Sequence, residues 1–312
     1  LSNLAANLTD TAGRVPHRPA VRLGREVLTY AGLDEASACV AGGLIAHGVR
    51  PGDRVGLVLD RAPAFAALYY GVLRVGAVAV VVSPQLGRDK THDFLDASGT
   101  RLCFAEGSDA AQPTEPDLPA RCLRVTVGPD FLDQVALWPQ HAGLVHRADD
   151  ETAVVTVAPP ADGDPFDAAA ASTGLSHREL QLAAFIAATL LLDLKPSDTV
   201  LSYAPMSGTF GQTCTLNAVI LAGAALSQPL NPDDLTAAAR TIDQHGVTIL
   251  AGELAVFSAF SALLHTAPRG LSGTTLRLGV SSRPPPSEET RTRITGTLGV
   301  PLVEAEWLTG GH

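Results

Sequence analysis

The sequence predicts a layered α/β fold, and three observations lead there. Segments with apolar residues at helical spacing alternate with short, continuous apolar runs rich in β-branched residues. Glycine and proline punctuate the junctions between them. The chain has 312 residues, of which 46% are hydrophobic, enough to bury the core of one large or two medium domains. Strands that are apolar on both faces and alternate with helices imply sheets covered on both sides.

Each element follows from its local pattern. Leu33, Ala36, Val40, Leu44 and Ile45 recur at helical spacing. Gly48 ends that helix, Pro51-Gly52-Asp53 turns the chain, and residues 55–59 read as a buried strand. Residues 64–73 read as the next helix, closed by Gly76, with a strand over 77–82. A third unit pairs a helix over 88–98 with a strand over 101–105. Residues 106–150 are rich in Pro, Gly, Asp and Gln and read as a connector with one or two short strands. The chain is therefore divided into a first α/β subdomain plus connector, 1–150, and a second α/β subdomain, 151–312.

In the second half, strands are expected at 153–157, 199–203, 225–228, 247–250, 275–281 and 302–304. Helices are expected at 176–192, 212–222, 232–244, 254–265 and 287–297, with Ser176 and Asp234 as N-caps.

Composition excludes several functions. A net charge of −10 argues against nucleic acid or an anionic membrane surface as partner. Cys39, Cys103, Cys122 and Cys214 form no CxxC pair, so neither a zinc site nor a disulfide framework is expected, and the protein reads as reduced and cytoplasmic. No apolar run is long enough to span a bilayer, and no secretory leader pattern opens the sequence. Of the basic residues twenty are arginines and only Lys90 and Lys195 are lysines, which narrows any chemistry that needs an amine.

The segments NLAANLTDTAGRVPHRPAV, LTYAGLDEASACVAGGLIAHGVRPGDRVGLVL, YYGVLRVGAVAVVVSP and DFLDASGTRLCFA are specific as a set. With them the first hundred residues resemble the amino-terminal region of adenylate-forming enzymes, especially acyl- and aryl-CoA ligases. The resemblance implies layered α/β subdomains and a reaction in which a carboxylic acid and ATP give an acyl-adenylate that passes to a thiol such as coenzyme A. It also implies a mobile carboxy-terminal domain with a catalytic lysine; that domain is expected to be absent here, the sequence ending at His312.

The family's phosphate loop resembles TSGTTGxPKG followed by a TH pair, because hydroxyls, backbone amides and a lysine hold a triphosphate. The corresponding stretch is APPADGDPFDAAAASTGLSH. It keeps Gly163 and Pro165, puts Phe166 at the lysine position and surrounds it with Asp162, Asp164 and Asp167. Carboxylates there would repel a triphosphate. Ser176-His177 resembles the TH pair.

The PLFHxxG motif that borders the family's acyl pocket resembles Pro205-Met206-Ser207-Gly208-Thr209-Phe210-Gly211, where Ser207 and Gly208 replace the aromatic and the histidine. Gly252-Glu253-Leu254 stands for the GVP-like turn, and Ser281-Ser282-Arg283-Pro284 for the adenine-binding SGGA. Glu306-Trp307-Leu308-Thr309-Gly310 resembles YGxTE without its stacking tyrosine or its magnesium-binding glutamate.

These departures predict a truncated ligase-like protein that has lost ATP-dependent adenylation. It would bind, or act without ATP on, an acyl or aryl small molecule, free or tethered to a carrier, in a biosynthetic setting. No cofactor or metal is expected; ATP, magnesium and coenzyme A return only if the chain is an active AMP-forming ligase whose remaining domain is supplied elsewhere. A third reading is a non-catalytic interaction protein with a partner on the face the absent domain would cover.

The substrate-binding candidates are Met206, Ser207, Gly208, Thr209, Gly252, Ser281, Glu304 and Trp307. The catalytic candidates are Glu253, Glu306 and His177. Glu304 and Glu306 share one face if their strand continues, as acid or base in the pocket or as residues of an exposed edge. Glu253 is either a base or anchor in the pocket or a favourable charge at a helix start. His177 is either a helix-start residue or a catalytic one.

Overall fold

The computed structural model describes residues 3–107, 119–157, 172–266, 275–282 and 287–305, with backbone alone over 264–266. In chain order the strands are β1 (Pro19–Leu23), β2 (Glu26–Thr29), β3 (Arg54–Val58), β4 (Val78–Val81), β5 (Leu102–Glu106), β6 (Leu123–Val127), β7 (Thr152–Val157), β8 (Ser172–Ser176), β9 (Thr199–Ser202), β10 (Ala225–Gln228), β11 (Ile249–Gly252), β12 (Leu278–Ser281) and β13 (Leu302–Glu304). The helices are α1 (Ala6–Arg14), α2 (Tyr30–Ala46), α3 (Ala62–Arg74), α4 (Arg88–Ala97), α5 (Phe131–Val135), α6 (His177–Ile186), α7 (Ala218–Ala222), α8 (Leu235–His245), α9 (Leu254–Thr266) and α10 (Glu288–Leu298). π-helical turns extend α6 over Ala187–Leu191 and precede α7 over Gly211–Asn217.

The chain forms two compact units. The first holds Leu1–Pro16, Ala31–Gln181 and Met206–Gly208; the second holds His17–Tyr30, Leu182–Pro205 and Thr209–His312. The sheet of the first unit has the order β6-β5-β3-β4-β7-β8, parallel except for β8 against β7. The sheet of the second has the order β13-β12-β11-β9-β10-β1-β2, parallel except for β2 against β1. The predicted α/β class is what the structure shows.

In the first unit α3 is apolar all round, and each of its residues is buried. That burial includes Arg74, whose guanidinium pairs with Asp34 and donates to the Ala142 carbonyl at 2.8 Å and the Ser37 hydroxyl at 3.0 Å. A charge so deep is tolerated because it is both paired and hydrogen-bonded.

The stretch read as a connector holds β6 and α5 and is packed down by its aromatic residues. Phe131 and Trp138 meet edge to face at 5.9 Å, and Phe104 lies 6.0 Å from Phe131. In the second unit, Tyr30 is fully buried and its one O–H is shared between the Ala224 and Val219 carbonyls, at 2.7 and 3.0 Å. The core there gathers Leu201, Ile242, Leu250, Phe257, Phe260 and Ile294.

Three elements depart locally from those predicted, two of them for a plain physical cause. Ser172–Ser176 is a strand, not the tail of a loop: its polar residues lie on an exposed edge, held by antiparallel pairing with β7. β11 starts two residues later than expected, because Gly246, at φ 60°, closes α8 and the Val247 N–H bonds back to the Ile242 carbonyl. β12 is shorter than the predicted strand and starts at Leu278. Both predicted caps are present. Asp234 accepts from the Ala237 N–H at 2.8 Å. Ser176 and Glu179 make reciprocal bonds, the Ser176 N–H to the Glu179 carboxylate at 2.7 Å and the Glu179 N–H to the Ser176 hydroxyl at 3.2 Å.

Candidate ligand site

Parallel strands preceded and followed by helices deliver their carboxyl ends to one edge of the sheet, and in open α/β sheets that edge is where ligands bind. In the second unit three predicted site residues meet there. Gly252 ends β11 in register with Ser281 at the end of β12, and Ser281 is in register with Glu304 at the end of β13. The continuing backbone keeps the ladder going, with the Ser282 N–H to the Gly252 carbonyl and the Ala305 N–H to the Ser281 carbonyl, both at 3.1 Å.

Ser281 has no solvent exposure, and its Oγ has no partner among the described residues. Such a hydroxyl is costly unless something else bonds to it. Across β11 from it, Tyr203 follows β9 and donates its N–H to the Ala251 carbonyl at 2.8 Å. Its ring packs edge to face on Phe260 at 5.8 Å, and its Oη is also buried without a described partner. Burial, with a smaller contribution from Asp234, pushes the Tyr203 phenol well above its ordinary range, so it stays a neutral donor. Gly252 lets Tyr203 sit close: a Cβ at 252 would lie 3.1 Å from the Tyr203 Cβ.

The carboxylates on this edge are placed differently. Glu253 is exposed and sits directly before α9, its carbonyl accepting the Val256 N–H at 3.0 Å. A charge there is favourable to the helix start. Glu304 is partly buried and pairs with the Arg291 guanidinium of α10.

The remaining candidates in the PLFHxxG-like segment divide between the units. Met206 and Ser207 are buried in the first, and Gly208, half-buried, belongs there too. Thr209, also half-buried, belongs to the second, where its carbonyl accepts from the Thr213 hydroxyl at 2.8 Å. The Ser207 N–H donates to Asp60 Oδ1 at 2.8 Å. Asp60 lies just past β3, and burial raises its pKa against the opposing effect of the Ser207 hydrogen bonds. Glu106, at the end of β5, accepts the N–H groups of Asp60 and Arg61 at 3.1 and 3.3 Å.

His177 opens α6 with no solvent exposure. Its Nδ1 accepts the Leu4 N–H at 3.0 Å, so the proton of the neutral ring is on Nε2, which has no described partner. Burial first, and Arg147 second, lower its pKa to about 4. Gly163, Pro165, Phe166, Glu306 and Trp307 lie outside the described residues. Among the described residues no three His, Cys, Asp or Glu side chains converge as a metal site, and no helix is long and apolar enough to cross a membrane.

Two residues of these edges were not anticipated from sequence: Asp60 and Tyr203. A signal existed for each, since each is the first residue able to hydrogen-bond through a large polar side chain beyond a strand's carboxyl end. The family model described as AMP-binding enzyme matches residues 8–310. The chain belongs to the AMP-binding enzyme family.

Within that family, the chain is 32% identical to AMB antimetabolite synthetase AmbB of Pseudomonas aeruginosa over 137 residues, which is 44% of this chain and 11% of that protein. Among solved structures, a benzoate CoA ligase from Burkholderia xenovorans LB400 superposes with a TM-score of 0.82 at 20% identity, covering 97% of this chain and 60% of the other. VinN in complex with L-aspartate superposes with a TM-score of 0.80 at 20% identity, covering 96% of this chain and 74% of the other. At such identities the likeness shows the AMP-binding enzyme fold alone. The matched part spans only 2% to 11% of the first four curated synthetases.

Proposed function

We propose that this protein binds a carboxylic acid of the acyl, aryl or amino-acid class at the carboxyl edge of its second sheet, and that it does not adenylate the acid with ATP. The observation that carries the reading is the donor set where the family holds a triphosphate. Phe166 stands at the lysine position, and Asp162, Asp164 and Asp167 flank it. Neither Lys90 nor Lys195 is near that stretch in sequence. Such a set does not fit ATP: a tetraanion needs N–H and ammonium donors, and carboxylates in their place repel it. The replacements of SGGA by Ser281-Ser282-Arg283-Pro284 and of YGxTE by Glu306-Trp307-Leu308-Thr309-Gly310 point the same way.

Two features support retained binding of the acid. Ser281 Oγ and Tyr203 Oη are buried hydroxyls with no partner among the described residues, at the edge where α/β sheets take ligands. The named relatives also act on, or are seen with, acids of these classes: a CoA ligase for benzoate, and VinN with L-aspartate. A tethered acyl or aminoacyl group on a carrier has the same chemistry as the free acid and is the alternative form of substrate.

A second reading, an active AMP-forming enzyme, is favoured by the extent of the family match. ATP–pyrophosphate exchange separates the two. With a panel of benzoate, substituted benzoates, fatty acids and amino acids, exchange at the level of a no-acid control is expected. Exchange above that control with any acid would overturn the loss of adenylation.

A further inference from the structure

The amino-terminal edge of the first sheet carries a cleft remote in the fold from the carboxyl ends of the same strands. It encloses about 580 Å³, inside the range of about 300–1,000 Å³ usual for small-molecule sites. It opens where three neighbouring strands begin, at Arg54 of β3, Leu102 of β5 and Leu123 of β6.

Its lining has a charge opposite to that of the whole chain. Against a net −10, the cleft gathers His47, Arg54 and Arg101 with a single carboxylate, Asp53. That carboxylate is engaged by the Arg50 N–H at 2.8 Å, where it closes the Pro51-Gly52 turn. Two of the basic groups are oriented by the backbone. Arg54 Nη1 donates to the Ser98 carbonyl at 2.6 Å, and His47 Nδ1 lies 2.8 Å from the Gly43 carbonyl, so that its Nε2 donates to a ligand only in the imidazolium form. Arg101 is exposed at the lip, immediately before β5. Leu123, 55% exposed, adds an apolar wall.

One guanidinium held by the backbone at Arg54, a second at the lip from Arg101 and a half-exposed apolar side chain suit a compact oxyanion better than a neutral or cationic ligand. We infer that this cleft is a binding site for a small phosphate-class anion, formed by Arg54, Arg101 and His47. It is independent of the carboxylic-acid site proposed above.

Pyrophosphate and inorganic phosphate, titrated by calorimetry at low salt, are the probes, with glycerol as neutral control. One saturable pyrophosphate site, weakened by added salt, is expected in the wild type. Arg101→Glu should weaken it by about tenfold or more, the size of one charge-assisted hydrogen bond, with the melting temperature unchanged. His47→Ala and Arg101→Gln give the same reading should the reversal disturb folding. Absence of saturable binding in the wild type would overturn the site. So would binding that is indifferent to Arg101 and His47, since that would locate the anion elsewhere.

Discussion

A fully buried histidine that accepts a backbone N–H on one ring nitrogen is confined to its neutral form, and acid must break that arrangement to charge it. His177 is in that position, with a pKa lowered to about 4 from an ordinary 6.5. The unfolded chain therefore binds more protons than the folded one between pH 4 and 6.5, and stability falls as pH falls through that window. The ceiling for the effect is about 3 kcal/mol. Asp60 works in the opposite direction: its raised folded pKa favours folding at low pH and loses that contribution as pH rises above the ordinary 3.8. His177→Asn isolates the histidine, because an asparagine carbonyl can still accept the Leu4 N–H but does not titrate. Denaturant melts at pH 4, 5 and 6.5 should show stability rising with pH more steeply in the wild type than in the variant; parallel slopes would show that His177 does not contribute.

Residues with a local job were the ones the sequence made visible. Ser176 and Asp234 cap helices through bonds to positions three residues away, so the pattern is complete within a single turn. Asp60 and His177 hydrogen-bond with Ser207 and Leu4, 147 and 173 positions away. No local pattern contains that information.

At the scale of elements, helix α2 shows how a neighbour can reverse a propensity. Gly42 and Gly43 lie inside it, where alanine would ordinarily stabilise by about 1 kcal/mol. A Cβ at 42 would lie 1.8 Å from the Pro139 carbonyl oxygen, and one at 43 would lie 2.5 Å from the Trp138 ring. The glycines let the 131–140 segment lie directly on the helix. Gly42→Ala should therefore destabilise by about 1–3 kcal/mol, the range for overpacking. Gly13, in α1 of the same unit, has nothing within 4 Å of its would-be Cβ, and Gly13→Ala should stabilise by up to about 1 kcal/mol. Urea melts of the pair test the contrast, and equal shifts would remove the packing explanation. The same contact explains why 106–150 read as a loose connector: its Pro- and Gly-rich composition is that of a loop, while its described 131–140 segment is held by Phe131 and Trp138 packing on Phe104. Strand β8 escaped notice for a related reason, since Ser172–Ser176 has no apolar alternation and is a strand only through β7.

For the whole molecule, alternation of helix and apolar strand was enough to reach the fold class, because each element is written in its own local pattern, even though pairings such as β1 with β10 and β4 with β7 join distant segments. Assignment of chain segments to the two units was not reachable that way. Met206–Gly208 belongs to the first unit although both its flanks belong to the second, a division made by contacts and not by composition. The proposed ligand site sits on the second unit, so its occupancy should appear as stability of the fold by mass action. An acid present at about a hundred times its Kd adds about 2.7 kcal/mol, visible as a rise in melting temperature. In Arg101→Gln, where the anion cleft is weakened, MgATP alone should give no rise, and a rise there would count against the loss of ATP binding. Ser281→Ala makes the test internal. A buried hydroxyl without a partner opposes folding, so its removal should leave the ligand-free melting temperature equal or higher. The acid-induced rise should shrink in the same variant, because the ligand loses the hydroxyl reserved for it. A variant that melts lower without ligand, yet responds to the acid like the wild type, would mean that Ser281 bonds within the protein and takes no part in binding.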